Sequence, residues 1–491
     1  MAQRDLKVVV LGAGMAGILA GIKLQASGFT DVTIYEKADR IGGTWRENTY
    51  PGLTCDVPSH HYTYTFERNP DWSRHLPPGE EIQAYFERVT AKYGVDKLIR
   101  FNQEAERADF VAGRWQLVFR SGLTDSADIL ICATGVLHHP RCPTIEGMES
   151  FQGHLFHSAR WDHSVPLDGQ RIGIIGNGST GVQIVSALAG RASKLEHYQR
   201  TAQWIMPVEN GYFSEEERAA FHDPEVLAQA MDFEGYNAAV DAYTQAIIDE
   251  ESEGARGIAE ACLMNLEQGV TDPELRERLR PDHKPLCKRL IFSPDYYQAI
   301  QHPDSRLVTE GIERIEPTGI RTRDGELHEL DIIVLATGFD PGAFMRPMRI
   351  TGEHGTDLEG LWADHPKAYL AITMPDFPNL FMLNGPNGPV GNFSLIDIAE
   401  HQWHYIAQLL DKLRSGEADE ICCSRQAMEA FEAARSEAAK KTVWFLGGCN
   451  SWYLDQRGIP ASWPWTYSRF LAEMEQPNWS HFDIRCHHGG K

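Results

Sequence analysis

The chain has 491 residues, 42% apolar and 23% charged, which is the composition of a folded globular protein and excludes disordered, collagenous and coiled-coil chains. Its length predicts two or three hydrophobic cores. The 46 Lys and Arg residues against 69 Asp and Glu give a net charge of −23, which makes nucleic acid and anionic lipid poor partners. An anionic ligand must therefore meet a local basic pocket.

The cysteines and the N-terminus indicate where the protein works. The nine cysteines are odd in number and form no CxxC pair, which predicts free thiols in a reducing, cytoplasmic location. The chain runs from Met1 almost directly into the strand-like segment 8–11, so no signal peptide is expected, and no run of about 18 apolar residues predicts a membrane span. The histidine pairs at 60–61, 138–139 and 487–488 lack a suitably spaced third ligand, so no metal site is predicted.

One pattern occurs twice along the chain: a β-branched run, a glycine cluster and an apolar helical stretch. The glycines are Gly12, Gly14 and Gly17 in the first copy and Gly176, Gly178 and Gly181 in the second. Such glycines let the backbone turn sharply, approach a pyrophosphate and pack a helix on a sheet, while the helix N-terminus offers free N–H groups. The sequence therefore predicts two dinucleotide-binding units.

The end of the second strand of each unit distinguishes the two nucleotides. Glu36 lies 22 residues after Gly14, where a carboxylate accepts hydrogen bonds from a ribose. At the same offset from Gly178 the chain has Arg200. A base in this place suits a 2′-phosphate, so the second nucleotide is predicted to be NADPH rather than NADH. The alternative is a solvated arginine at a strand end.

Two further buried strands, at 128–135 and 331–338, are predicted to complete the two sheets. The fold class is therefore α/β, with two Rossmann-like domains and a helical insertion in the second. The insertion carries helix start signals at Ser214 and Asp272. The loop 384–392 and a helix over about 395–413 are expected to return to the first domain. The predicted boundaries are 1–146 with 343–491 for the first domain, 147–206 with 286–342 for the second, and 207–285 for the insertion.

Three further motifs carry a resemblance to a known family. They are Phe151, Gly153, His157, Trp161 and Asp162; Gly42-Gly43-Thr44-Trp45 with Tyr50-Pro51-Gly52 and Asp56; and Lys288-Arg289 with Tyr296-Tyr297. In type and order these motifs resemble those of the class B flavoprotein monooxygenases, and within that class the Baeyer–Villiger monooxygenases. The chain departs from many members of the family in having Thr49 instead of Arg before Tyr-Pro-Gly.

The resemblance implies that FAD occupies the first site and NADPH the second. It further implies that dioxygen is captured as a flavin C4a-peroxide, which attacks a ketone and gives an ester or lactone. A peroxide stays nucleophilic only while deprotonated, so it needs a nearby cation, and the resemblance places Arg289 in that role. Arginine suits it because, unlike lysine, it does not give up its proton. Asp56 would pair with Arg289 and fix its orientation.

The other site residues are also implied by the resemblance. Thr44, Trp45 and Tyr62 would contact FAD, although each could instead belong to the core. Lys288 and Arg200 would hold the NADPH 2′-phosphate, with Thr201 as a hydroxyl donor. Trp444 would reach the nicotinamide ribose.

His157 has an ordinary pKa in the working range, but its motif lies between the two nucleotide domains. His157 and Trp161 are therefore expected to hold the joint between the domains rather than to transfer protons.

Two other functions remain open at this stage. A sister class B monooxygenase would oxygenate sulfides or amines through a protonated hydroperoxide, against which Trp161 and Arg289 argue. An NADPH-binding flavoprotein reductase or sensor would use the same two nucleotide sites. A disulfide reductase would need two close cysteines facing the flavin, and after Cys55 the next cysteine is Cys132.

Overall fold

The structure is a computed structural model that describes residues 3–391 and 393–487. The strands are β1 (Val8–Leu11), β2 (Val32–Tyr35), β3 (Ile99–Arg100), β4 (Ala105–Val111), β5 (Arg114–Phe119), β6 (Thr124–Ala127), β7 (Ile129–Cys132), β8 (His154–His157), β9 (Arg171–Ile175), β10 (Lys194–Tyr198), β11 (Ile205–Met206), β12 (Ile291–Phe292), β13 (Ser305–Val308), β14 (Ile312–Glu316), β15 (Gly319–Thr322), β16 (Leu327–Glu329), β17 (Ile332–Leu335), β18 (Arg349–Thr351), β19 (Leu380–Met382), β20 (Glu420–Cys423) and β21 (Phe482–Arg485). The helices are α1 (Met15–Ala26), α2 (Thr44–Glu47), α3 (Gly79–Lys92), α4 (Ser179–Leu188), α5 (Glu215–Ala220), α6 (Pro224–Met231), α7 (Phe233–Ile248), α8 (Glu253–Gly269), α9 (Pro273–Arg278), α10 (Tyr296–Ile300), α11 (Leu358–Leu361), α12 (Leu395–Ser415), α13 (Arg425–Ala439), α14 (Val443–Leu446) and α15 (Tyr467–Glu475).

The first five-stranded sheet has the order β19-β7-β1-β2-β3, and all of its pairs are parallel. Its central strand β1 is wholly buried because helices cover one face and a second sheet, β18-β4-β5-β6, covers the other. Strand β19 comes from the C-terminal third of the chain, and helix α12 packs against α1. The C-terminal part of the chain thus returns to the first sheet.

The second parallel sheet has the order β13-β10-β9-β17-β8. Its centre, β9-α4-β10, repeats the strand-turn-helix-strand arrangement of β1-α1-β2. Parallel strands joined by right-handed crossovers place both glycine turns at the carboxyl edge of a sheet, where such folds bind nucleotides. The predicted α/β fold class with two Rossmann-like domains is confirmed.

In chain order, helices α5 to α9 come after strand β10 and before strand β13 of the second sheet. Local capping residues determine where two of these helices begin. Ser214 and Glu217 form a complete capping box at the start of α5, and Asp272 caps α9 just before Pro273. Apolar residues of these helices enter three cores: one with the first sheet, one with the second sheet, and one with the segment that carries Cys287 and Trp444. The insertion therefore touches both sides of the space between the two sheets.

The expectation that every cysteine is free is wrong. Cys287 and Cys449 form a disulfide bond between residues 162 apart in the chain. The other seven cysteines are free, and the adjacent Cys422 and Cys423 are buried in β20. The pairing could not be read from spacing, since only the fold brings the loop before β12 against the segment after α14.

No helix in the described part of the chain is long and apolar enough to cross a membrane.

Candidate active site

The first glycine turn, between β1 and α1, is shaped by close backbone contacts. A Cβ on Gly12, whose φ is +102°, would lie 2.5 Å from the Ala133 carbonyl oxygen, and one on Gly17 would lie 1.8 Å from the Gly12 carbonyl oxygen. Helix α1 begins after Gly14 with no side-chain cap on its first N–H groups. These N–H groups and the helix dipole fit a pyrophosphate, which is the chemistry that FAD requires here.

The second glycine turn repeats this geometry. A Cβ on Gly176, at φ +111°, would lie 2.3 Å from the Ala336 carbonyl oxygen, and one on Gly181 would lie 1.9 Å from that of Gly176. A Cβ on Gly178 meets no heavy atom within 4 Å, and helix α4 also begins without a side-chain cap. The turn leaves an open cradle above free N–H groups, which fits the pyrophosphate of NADPH.

Glu36 stands at the end of β2, beside the first turn. It is buried, and its carboxylate accepts hydrogen bonds from the backbone N–H of Ala13 at 2.8 Å and of Ala38 at 2.9 Å. Arg46 donates to the same carboxylate at 3.1 Å. Each carboxylate oxygen accepts more than one hydrogen bond, so the fixed Glu36 retains capacity for a ribose hydroxyl.

Arg46 is a site residue that sequence reasoning missed. Its guanidinium is buried and also donates to Glu47 at 2.6 Å, and Glu47 accepts from Arg160 at 2.6 Å. Burial by itself would raise the pKa of Glu47, but the two arginines outweigh it and lower that pKa. A chain of ion pairs thus joins Glu36 to the segment between His157 and Trp161. In the sequence, nothing distinguishes Arg46 from the nearby Arg40.

The sequence predicts a basic pocket beside the second turn, formed by Arg200, Thr201 and Lys288. Arg200 is exposed at the end of β10, and Thr201 follows it, half-buried. Burial lowers the pKa of Lys288, the charge of Asp282 raises it and the charge of Arg200 lowers it, so Lys288 lies in the field of one carboxylate and one further cation. Among the described residues, neither cation forms an ion pair with a carboxylate. Cations without a direct carboxylate partner suit a dianionic phosphate.

Asp56 and Arg289 are 233 residues apart in sequence, and the fold brings them into direct contact. Arg289 donates from Nε at 3.1 Å and from Nη2 at 2.5 Å, both to Oδ2 of Asp56. Burial alone would lower the pKa of Arg289, but the carboxylate outweighs it and raises that pKa. The Arg289 side chain is 33% exposed and that of Asp56 is 20% exposed, so the pair is reachable from the space around it.

Aromatic residues connect this pair to the first glycine turn. Trp45 lies two residues after Gly43, and a Cβ on Gly43 would lie 3.1 Å from Gly14 Cα. The Trp45 Nε1 donates to the Tyr62 hydroxyl at 3.0 Å. Tyr62 is buried, and burial holds its pKa well above the usual value. Thr44, which starts α2, is exposed. The structure therefore brings Trp45, Tyr62, Asp56 and Arg289 into one neighbourhood.

A second missed residue, Tyr453, lies on another side of Arg289. A Cβ on Gly391 would lie 2.4 Å from the Tyr453 hydroxyl and 2.8 Å from Arg289 Nη1, so both groups crowd the same point. Trp444 is buried and stacks on Tyr453 with the ring centres 4.7 Å apart. No motif singled out Tyr453, because its only signal is spatial.

The segment from Phe151 to Asp162 forms β8 and the turn after it. A Cβ on Gly153 would lie 2.3 Å from the Asp331 carbonyl oxygen, which explains the glycine at this edge of the second sheet. Phe151 and Trp161 pack into cores of the second sheet. Asp162 is exposed and accepts from Ser164, whose hydrogen bonds lower its pKa, so it shapes a turn and lies outside the pocket.

His157 is fully engaged by the main chain. Its Nδ1 accepts from the Ala159 N–H at 3.1 Å, and its Nε2 donates to the Gly338 carbonyl oxygen at 3.1 Å. Burial lowers its pKa. With both nitrogens occupied, His157 fixes β8 to the end of β17. Thr49 contacts His163 Nε2 at 2.7 Å, so the residue that replaces the family's usual arginine lies against the segment just after Asp162.

The histidine pairs do not converge. His138 and His139 contact the carbonyl oxygens of Phe344 and Arg346, and His61 stacks on Tyr236. His488 lies outside the described residues. Within residues 3–391 and 393–487, no three His, Cys, Asp or Glu side chains are grouped so as to hold a metal ion.

Comparisons with known proteins place this geometry among monooxygenases. A family described as flavin-binding monooxygenase-like matches residues 5–216. A Baeyer–Villiger monooxygenase of Streptomyces coelicolor is 34% identical over 98% of this chain and 92% of its own length. An uncharacterized monooxygenase of Mycobacterium tuberculosis is 46% identical over 99% of this chain and 97% of its own. The crystal structure of cyclohexanone monooxygenase from Rhodococcus sp. Phi1 with NADP+ matches at a TM-score of 0.84 and 26% identity, covering 98% of this chain and 99% of that one.

Proposed function

The chain belongs to the Baeyer–Villiger branch of the class B flavoprotein monooxygenases, and from this premise we propose that it inserts one oxygen atom of dioxygen beside a ketone carbonyl to give an ester or lactone. It is an NADPH-dependent enzyme that uses FAD. The observation that carries the proposal is the contact between Arg289 and Asp56, partly open to the space beside Trp45 and Tyr62. FAD, when bound, takes hydride from NADPH and passes electrons to dioxygen.

Arg289 supplies the permanent positive charge that this chemistry needs. A unit charge pair about 4 Å apart is worth roughly 4 kcal/mol at an effective dielectric constant of about 20, before desolvation is subtracted. Because guanidinium does not deprotonate, it stabilises an anion on oxygen without delivering a proton that would end its nucleophilicity. Asp56 binds Nε and Nη2 through one oxygen, so it fixes the plane of the guanidinium while Nη1 stays outside that contact.

The remaining site residues support binding of the two nucleotides. We assign Gly12, Gly14, Gly17, Glu36 and the Trp45 neighbourhood to FAD, and Gly176, Gly178, Gly181, Arg200, Thr201 and Lys288 to NADPH. Trp444, which the resemblance places at the nicotinamide ribose, is 1% exposed and packs on Tyr453, so we assign it to the packing around that ring. Residues 1–146 and 343–491 would form the FAD domain, 147–206 and 286–342 the NADP domain, and 207–285 the insertion. Arg160, through its contact with Glu47, would couple the two domains, and His157 and Trp161 would support it from the side of the second sheet.

The proposed reaction is tested by offering a ketone panel and a sulfide panel to the purified holoenzyme under labelled dioxygen. We expect NADPH consumption that depends on the ketone, and one labelled oxygen atom in an ester or lactone. Exclusive formation of sulfoxide would instead assign the enzyme to the sister monooxygenases. NADPH consumption that any ketone leaves unchanged, with no labelled product, would favour the reductase or sensor.

We predict that Arg200→Ala raises the KM for NADPH while leaving the KM for NADH nearly unchanged. Loss of one charge-assisted phosphate contact of about 1.5–3 kcal/mol corresponds to roughly a 10- to 100-fold effect. The measurement is steady-state kinetics with both nucleotides. Arg306→Ala is the matched control, because Arg306 is exposed on β13 and pairs with Glu326. Equal losses with NADPH and NADH would contradict a 2′-phosphate role.

A further inference from the structure

Tyr453 lies against the one edge of Arg289 that Asp56 does not hold. Asp56 accepts from Nε and Nη2, whereas Nη1 points to the place where the Tyr453 hydroxyl and Gly391 meet. Tyr453 and Arg289 also influence each other's ionisation: burial raises the pKa of Tyr453 to about 12, and the guanidinium opposes that rise. A neutral phenol beside the guanidinium leaves the positive charge of Arg289 in place.

The segment that carries Tyr453 is held firmly. Tyr453 is 3% exposed, and its ring stacks on those of Trp444 and Trp452, with the ring centres 4.7 Å and 4.3 Å away. Its carbonyl oxygen accepts from the Ala461 N–H at 2.8 Å. Beyond it, the fully buried Arg435 donates to the Pro460 carbonyl oxygen and binds Glu432. A side chain held in this way offers its hydroxyl at a fixed position.

Gly391 shows how tightly this corner is packed. Its φ is +82°, and any Cβ there would lie within 3 Å of both the Tyr453 hydroxyl and Arg289 Nη1. Only glycine lets the loop before α12 approach the two groups without displacing one of them.

We infer that Tyr453 is a positioning residue that fixes Arg289 by its Nη1 edge, so that Asp56 and Tyr453 together hold the guanidinium at the reaction centre. The inference rests on the proposed function for the role of Arg289, but the proximity of the Tyr453 hydroxyl and Arg289 Nη1 at Gly391 does not depend on that function. Both Asp56 and Tyr453 are needed, because a guanidinium held by Asp56 alone can rotate about that contact and then presents its charge in the wrong place for part of the time.

The first test is Tyr453→Phe in the holoenzyme, which keeps the ring stack and removes only the hydroxyl. The readout is the ratio of oxygenated product to hydrogen peroxide at saturating NADPH and ketone. We expect that ratio to fall about tenfold, the equivalent of one hydrogen bond of about 1.4 kcal/mol, while the KM for NADPH stays within twofold. Tyr405→Phe is the matched control, since Tyr405 is an equally buried phenol within α12. An unchanged ratio in Tyr453→Phe would overturn the inference.

The second test measures the contact without any turnover. Thermal unfolding of Tyr453→Phe is compared in the wild-type background and in an Arg289→Ala background. We expect a fall in Tm on the order of 2 °C in the first and no fall in the second, because the hydroxyl then has no guanidinium to contact. Equal falls in both backgrounds would show that the hydroxyl serves only the local fold and would overturn the inference.

Gly391→Ala provides a third measurement, because its Cβ collides with the hydroxyl and the guanidinium. We expect it to lower the ratio of product to peroxide, and to lower it less when combined with Tyr453→Phe, which removes the nearer of the two colliding atoms. If the losses in product-to-peroxide ratio of Gly391→Ala and Tyr453→Phe simply multiply in the double variant, Gly391 and Tyr453 act on Arg289 separately, which would contradict the inference. If the wild-type enzyme oxygenates no ketone but the unfolding test succeeds, the proposed function fails and the contact stands.

Discussion

Replacing Arg289 with alanine is expected to lower ester or lactone formation on the order of a thousandfold, while NADPH is still consumed and hydrogen peroxide is released in place of product. The reason is that the guanidinium is the cation the structure places beside Asp56, and a lost interaction of about 4 kcal/mol corresponds to that factor. Product and peroxide are measured together against NADPH consumed.

Two further variants sharpen this prediction. Arg289→Lys keeps a positive charge but not the planar guanidinium that binds Asp56 through two nitrogens, so we expect intermediate loss. Arg280→Ala removes a half-buried arginine that pairs with Glu267 in the insertion, and we expect no loss beyond twofold. Undiminished lactone formation in Arg289→Ala would remove the electrostatic role assigned here.

Alanine at Gly17 is expected to abolish FAD binding, whereas alanine at Gly181 is expected to spare FAD and weaken NADPH binding at least a hundredfold. In both cases the new Cβ would lie less than 2 Å from a carbonyl oxygen of the turn, so the helix must move away from the sheet. The displaced N–H groups then no longer face the pyrophosphate.

The flavin content of the purified variants and the KM for NADPH give the measurement. Gly257→Ala is the matched control, because a Cβ there meets no heavy atom within 4 Å and the change lies within α8. A Gly17→Ala protein that carries a full complement of FAD would contradict the assignment of the first turn. Loss of FAD from Gly181→Ala would contradict the separation of the two sites.

The parts of the fold that the sequence predicts well are those that depend on nearby residues. The two glycine turns, the positions of Glu36 and Arg200, and the capped starts of α5 and α9 all follow from short-range backbone geometry. The same holds for the buried strands β7 and β17, whose apolar residues are contiguous. Sequence reasoning therefore located both predicted nucleotide-binding turns.

The rest of the site depends on contacts between distant segments. Arg289 and Asp56 are 233 residues apart, and only their resemblance to family motifs suggested that they meet. Arg46, Tyr453 and the Cys287–Cys449 bond had no comparable signal, because each becomes distinctive only when a second chain segment packs against it. The local pattern of apolar and polar residues indicates which face of an element is buried, but it does not indicate which distant segment packs against that face.

The Cys287–Cys449 bond has a practical consequence for anyone who purifies this enzyme. Cys287 lies two residues before Arg289, and its bond attaches that loop covalently to the stretch between Trp444 and Tyr453. Adding dithiothreitol to a buffer would detach the two, so samples prepared with and without it are chemically distinct catalysts. Rates from different preparations are comparable only when a thiol titration accompanies each of them.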